Sequence, residues 1–190
     1  MNLNMNHQGT KRLETDRLIL RPFAVGDATA MYNNWASDPD VTKYLMWPHH
    51  TTVEVSNTVL ADWVGRYEKT DHYHWAIVLK ENGDEPIGSI AIVRQDDSVK
   101  MVHVGYCIGK KWWRRGIMSE TLSALVKFFF EEVGVNRFES RHDPRNPNSG
   151  KVMMKCGLKY EGTQREADWN NQGICDSAMY AILAKDYNAE

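Results

Sequence analysis

Val102–Gly134 reads VHVGYCIGKKWWRRGIMSETLSALVKFFFEEVG, and its pattern changes along the way. Val102 to Ile108 has the length and apolar character of a buried strand. Ile117, Leu122, Leu125, Val126, Phe129 and Val133 then recur at helical spacing, and Gly134 is a suitable stop. Between them GKKWWRRG (Gly109 to Gly116) carries the chain from strand to helix. Such a loop leaves several backbone N–H groups unpaired at the helix start. With the positive end of the helix dipole, those donors suit a phosphate or pyrophosphate. Gly116 lets the main chain come close to such an anion, and Arg114 and Arg115 add charge to the rim. The plainer reading is a strand-to-helix connection with solvated basic residues.

Upstream, RLILRPF (Arg17 to Phe23) alternates as a half-buried strand does, and Asp27 is placed to cap a short helix ending near Trp35. Thr51 and Glu54 have the spacing of a capping box, which predicts a helix from about Val53 to Arg66. WAIVLK (Trp75 to Lys80), a turn at Asn82-Gly83 and IGSIAIV (Ile87 to Val93) read as a hairpin. The strand Met101 to Ile108 follows, with an interruption expected near Gly105. Downstream come a strand at Arg137 to His142, a Pro- and Asn-rich loop, and a short helix from Ser149, its expected cap, to Gly157. Two closing strands are expected at Lys159 to Glu166 and Ala178 to Leu183, around a turn at Asn170 to Gly173. The order predicts an α/β fold with a mixed sheet, since hairpin-linked middle strands exclude a doubly wound one.

The 190 residues, 42% hydrophobic and 25% charged, suffice for one core without disulfide or metal staples. We expect a loose tail over residues 1–11 and a single domain over 12–190. The amino terminus lacks the apolar core of a signal peptide. Apolar runs such as Tyr180 to Ala184 are about a quarter of a membrane span, so no membrane partner is expected. Three cysteines without a CxxC pair fit a reducing cytosol, hence a cytoplasmic protein. A net charge of −2 gives no global field for nucleic acid, and KKWWRR (Lys110 to Arg115) is too short a cluster to change that. A Walker phosphate loop fails, because Gly116 is followed by Ile117-Met118 rather than Lys-Ser/Thr.

WWRRGIMSETL, followed about thirty residues later by DPRNPNSGKVMMKCGLKYEG, resembles the GNAT superfamily of acetyl-CoA-dependent N-acetyltransferases. More narrowly it is similar to the Rim-type branch that acetylates ribosomal-protein N-termini. LETDRLILRPF and DSAMYAILAKDY extend the likeness over nearly all of residues 12–187. The resemblance implies a GNAT fold: a mixed, mostly antiparallel sheet with a splayed central strand pair and about four flanking helices. It implies acetyl-CoA as co-substrate, with Trp113 at the Gln/Arg position of the pyrophosphate loop. Gly116 falls at the first glycine and Met118 at the small-residue position. The rest of the implied cofactor set is Arg114, Arg115, Ile117, Ser119, the strand edge at Cys107 and Ile108, Asn146 on the pantetheine arm and Ser149 close to the sulfur. A homodimer is common among relatives.

Moving acetyl from a thioester to an amine needs a neutral amine, an oxyanion donor and a proton for the leaving thiolate. It needs no metal, and His72 and His74 lack a third ligand nearby. Cys107 and Cys156 read as packing residues rather than nucleophiles. His103 stands on the splayed strand where the family often has Glu, and imidazole suits proton transfer; a packed histidine without a chemical task is the other reading. Asp168, with Glu166, precedes the last turn, either as a base or as a solvating carboxylate. Ser149 is the candidate donor to the thiolate. YLMWPHH (Tyr44 to His50) puts Trp47 and His50 over the acceptor cleft, or else in a packed lid. The expected reaction is acetylation of a primary amine, on a protein N-terminus or a small molecule, by direct attack in a ternary complex. The alternative is a silent acyl-CoA sensor of the same fold.

Overall fold

The computed structural model describes residues 4–187. Its strands are β1 (Leu13–Glu14), β2 (Leu18–Arg21), β3 (His74–Leu79), β4 (Pro86–Asp96), β5 (Met101–Ile108), β6 (Arg137–His142), β7 (Lys159–Asn170) and β8 (Gly173–Leu183). They form one eight-stranded sheet in the order β1-β2-β3-β4-β5-β6-β8-β7. Every neighbouring pair is antiparallel except β5 and β6, which run parallel and stay in register only from Met101↔Arg137 to His103↔Glu139. Beyond that rung the two strands part, so a V-shaped gap opens in the middle of the sheet.

The helices are α1 (Ala28–Met31), relaxing into a π-turn over Tyr32–Ala36, α2 (Pro39–Thr42), α3 (Val53–Gly65), α4 (Ile117–Phe128), relaxing likewise over Phe129–Val133, α5 (Pro147–Lys155) and α6 (Ala184–Tyr187). Counting each π-turn with its helix, four of them exceed two turns among the described residues, as the resemblance implies. The alternation of β5 sorts the layers. Val102, Val104 and Ile108 join the main core with Ile117, Leu122, Leu125, Val126 and Phe129 of α4 and its continuation. Cys107 faces the other way, toward a second cluster of Phe23, Met31, Trp35, Leu60 and Ala76 beneath α1 and α3.

Several local expectations need correction. β5 is continuous through Gly105; the irregularity lies on β4, where the register passes from Ile92↔Val104 to Arg94↔His103 and bulges Val93. A Cβ at Gly105 would sit 3.2 Å from Val93 Cγ1, so that glycine accommodates the bulge across the ladder. Thr52, not Thr51, occupies the N-cap position of α3. Asn146 precedes α5 and Pro147 opens it, which makes Ser149 its third residue rather than its cap. β7 and β8 run on to the turn itself, with two register shifts between Tyr160 and Asp168 absorbing the twist.

The amino-terminal stretch is not loose over its described part. Met5 is buried, Asn6 N–H bonds Val133 C=O at 2.9 Å, and Gln8 N–H bonds the Tyr73 hydroxyl at 3.0 Å. This strap hides Tyr73 and the end of α4's continuation from water; residues 1–3 lie outside the described residues.

Candidate functional site

The loop from β5 into α4 has an unusual backbone. Gly109 admits the buried Trp112, whose ring would be 2.7 Å from a Cβ there, and a Cβ would also collide with Asn34 C=O. Trp113 is anchored by its indole N–H on Ile108 C=O at 2.8 Å. Arg114 and Gly116 then both take positive φ, 61° and 75°. For arginine this conformation costs about 1–2 kcal/mol, and such strain concentrates at functional sites. Main-chain N–H groups in turns of this kind form concave anion nests. The first bond inside α4 joins Glu120 N–H to Gly116 C=O at 3.1 Å, so the N–H groups of Ile117, Met118 and Ser119 have no partner within the helix.

The β1–β2 turn braces this mouth, which the sequence reading missed. Arg17 donates to Glu120 Oε2 at 2.7 Å and to Arg115 C=O at 3.1 Å, and the Thr15 hydroxyl bonds Glu120 Oε1. Burial works to raise the Glu120 carboxyl, but the bonds from Thr15 and Arg17 outweigh it and hold the group below its ordinary value. Glu120 therefore ties the helix start to the sheet. No local pattern marks a pair 103 residues apart.

Along the gap the peptide groups of β5 alternate. Val104 C=O takes the Ser140 hydroxyl of β6 at 2.9 Å and Ile108 C=O takes Trp113, whereas Gly109 N–H goes to Ile87 C=O in the β4 direction at 2.9 Å. By that alternation Tyr106 and Ile108 offer N–H groups to the gap, and Cys107 turns its own toward β4. Of the two edge residues named from the sequence, Ile108 thus contributes a main-chain donor and Cys107 contributes shape. Burial pushes the Cys107 thiol up to about 12, which leaves it un-ionised and poorly nucleophilic. At the far wall Asn146 Nδ2 bonds Ser149 Oγ at 3.2 Å, and the Tyr106 hydroxyl crosses to Ser149 C=O at 3.0 Å.

The opposite face of the sheet carries paired ionisable groups. His103 Nδ1 lies 2.9 Å from Glu139 Oε1, both side chains being buried. Asp168 does not stand free: its carboxylate accepts from Arg141 Nε at 2.7 Å and Nη2 at 3.1 Å, and from the Trp169 N–H. Its neighbour Glu166 takes φ 50° at the bulge, its N–H on Asp176. His50 is packed into the loop before α3, with Nδ1 2.7 Å from the Ser56 hydroxyl and its ring 5.4 Å from Trp47. Burial, then His49, holds its imidazole below the usual value. Trp47 packs, like Cys107, at the edge of the second cluster. Asn171, absent from the sequence reading, fastens the β7–β8 turn onto this lid through bonds to Thr42 C=O and Trp47 C=O, both 2.8 Å. The chain thus sets Tyr106 and Ile108 along the open edge beyond the paired His103, with Gly116–Ser119 at one end and Asn146 and Ser149 opposite.

Comparison with known proteins fits this geometry. Residues 17–159 match the family model described as "Acetyltransferase (GNAT) domain". The uncharacterized N-acetyltransferase p20 of Bacillus licheniformis is 28% identical over 92% of this chain and 97% of its own length. The [ribosomal protein uS5]-alanine N-acetyltransferase of Escherichia coli is 24% identical over 93% of this chain and 92% of its own. The microcin C7 self-immunity acetyltransferase MccE, solved in complex with acetyl-CoA and AMP, superposes with a TM-score of 0.80 at 18% identity, covering 89% of this chain and 93% of its own, which establishes shared fold.

Proposed function

The chain belongs to the acetyltransferase (GNAT) family and is an acyltransferase, and from that premise we propose that it moves acetyl from acetyl-CoA to a primary amine by direct attack across the β5–β6 gap. The observation that carries this is the continuity of the edge: an anion nest at Arg114–Ser119 leads along free β5 peptides to a buried histidine. The N–H groups of Ile117, Met118 and Ser119 would hold the pyrophosphate, with Arg114 and Arg115 on the rim. Asn146 would bond the pantetheine amide. When bound, acetyl-CoA supplies the activated acyl group at a sulfur near Ser149.

In this reading the protein does three things. His103 takes the proton from the ammonium that forms as the amine nitrogen bonds the acyl carbon. A main-chain N–H of Tyr106 or Ile108 meets the developing oxyanion. Ser149 relays a proton to the thiolate once the C–S bond has broken, giving its own while taking one from water, so that it ends as a hydroxyl. Asp168, engaged by Arg141, positions that arginine at the rim. Trp47 walls the acceptor side, and His50 supports it from its packed place. The relationship to the uS5-alanine enzyme over 93% of this chain favours a peptide N-terminus as acceptor.

The test is an amine panel scored by free-thiol release, beginning with short peptides whose first residue is Ala or Ser. Acetylation of such a peptide is the expected result. Tight acetyl-CoA binding with no acceptor modified would overturn it in favour of a sensor of the same fold.

A further inference from the structure

We propose that Glu139 is the positioning residue for His103: its carboxylate accepts a hydrogen bond from Nδ1–H and thereby leaves the Nε2 lone pair to the acceptor side of the gap. The inference rests on reading the gap as the site of acyl transfer.

Three buried histidines among the described residues allow a comparison. His50 and His74 each meet a serine hydroxyl, Ser56 and Ser89, both at 2.7 Å. A hydroxyl can donate or accept, so it does not dictate which ring nitrogen carries the proton. His103 meets a carboxylate instead, and an ionised carboxylate only accepts. Nδ1 must then be the protonated nitrogen. Nε2 of His103 bonds no described residue and is not sealed from water, whereas the Nε2 atoms of His72 and His142 are sealed without partners.

The surroundings keep Glu139 ionised. Arg137 Nε donates to Oε2 at 2.6 Å and Arg94 Nη2 to Oε1 at 2.8 Å, while Glu161 holds the far side of Arg137 at 2.5 Å. Burial works to raise the carboxyl, and the bonds from His103 and Arg137 overcome it and bring it down to about 2. Arg94 reaches this spot because the bulge at Val93 sets it opposite His103. Leaving a carboxylate in a buried place costs several kcal/mol unless it is fully paired, and here three elements supply partners. His103↔Glu139 is also the last rung before the strands part. The fixed imidazole therefore stands at the apex of the gap.

The test uses the full chain and has two arms. Long-range 15N–1H spectra of the histidine rings, with His103 assigned by its loss in His103→Gln, report the tautomer without any turnover. The expected result is neutral His103 protonated at Nδ1. In Glu139→Gln an amide N–H2 faces Nδ1, since the arginines compete for the one remaining oxygen. We expect the proton to move to Nε2 and kcat to fall on the order of 100-fold, with KM for acetyl-CoA unchanged. Wild-type His103 protonated at Nε2, or a folded Glu139→Gln variant with kcat within about twofold of wild type, overturns the proposal. If Glu139→Gln fails to fold, the wild-type spectrum decides. Absence of acetylation by the wild type would instead strike the acyl-transfer reading, leaving the tautomer result intact.

Discussion

The two faces of the sheet solve different problems beside the same gap. Toward α4 and α5 most prospective ligand contacts are main-chain groups, the N–H donors after Gly116 and those of β5 along the gap, backed by an apolar core and joined by the side chains of Asn146 and Ser149. Toward α1–α3 the chemistry belongs to side chains, and the carboxylates of Glu139 and Asp168 are held by arginines and, for Glu139, an imidazole. Main-chain recognition tolerates change in the side chains that carry it. Side-chain recognition does not, because removing one partner strands the other in a poor solvent.

Deleting the imidazole should have the largest effect. His103→Ala should lower kcat by about 10²- to 10⁴-fold, the range for a lost general base. KM for acetyl-CoA should hardly move, because the imidazole and the proposed cofactor contacts lie on opposite faces of the sheet. An equal loss of acetyl-CoA binding would show that the faces are not independent. Next in size is Gly116→Val. A β-branched residue escapes φ 75° by moving the loop out of the nest conformation, and the about 1–2 kcal/mol needed to restore it corresponds to roughly a five- to thirtyfold loss of acetyl-CoA affinity. The rise in Tm that acetyl-CoA gives the wild type by mass action should shrink by about that free energy, with the ligand-free melt little changed. A Tm rise that survives undiminished would move the anion site away from this loop.

These two regions were not equally legible in the sequence. The nest is local: strand, basic loop, Gly116 and the helical stripe lie within one run of 33 residues, Val102–Gly134, so composition and spacing expose it. The proposed acceptor face is assembled from distant partners. His103 and Glu139 are 36 positions apart, Arg141 and Asp168 are 27, and Asn171 meets Trp47 across 124. Neither period nor propensity encodes such pairs. His103 and Asp168 could be singled out as residue types suited to proton transfer, but their ion partners could not. The same limit explains the smaller errors. A bulge is a relation between two strands, so the signal at Gly105 pointed to the wrong one, and the tail's packing depends on Tyr73 and Val133, which lie far along the chain.

Buried histidines on the α1–α3 face also make stability depend on pH. His74 lies between Trp63 and Phe23, and burial, then His72 and Arg66, lowers its imidazole from 6.5 to about 3. The unfolded chain takes up this proton as the pH falls below 6.5, and the folded chain does so only near 3. Stability from neutral His74 is therefore complete above 6.5 and declines on acidification by up to about 1.4 kcal/mol per pH unit. His50 and His72 are shifted in the same direction and add to it. Urea unfolding at pH 7 and pH 5 should show the loss, and His74→Gln should reduce it. An identical slope in the variant would assign the dependence to other groups.

Asp168 gives the smallest effect and the finest discrimination. Both of its oxygens are spoken for, and its partner Arg141 remains one-third exposed. A partly exposed ion pair contributes about 0–1 kcal/mol, so Asp168→Asn should change kcat by less than about fivefold. What should rise modestly is KM for the amine, because Arg141 loses its fixed orientation at the acceptor rim. A general base behaves otherwise: its amide variant loses turnover by orders of magnitude at constant KM. If Asp168→Asn showed that larger loss while His103→Gln kept its turnover, the base would be the carboxylate and not the imidazole. The His103–Glu139 pair would then be a structural buttress where the strands divide.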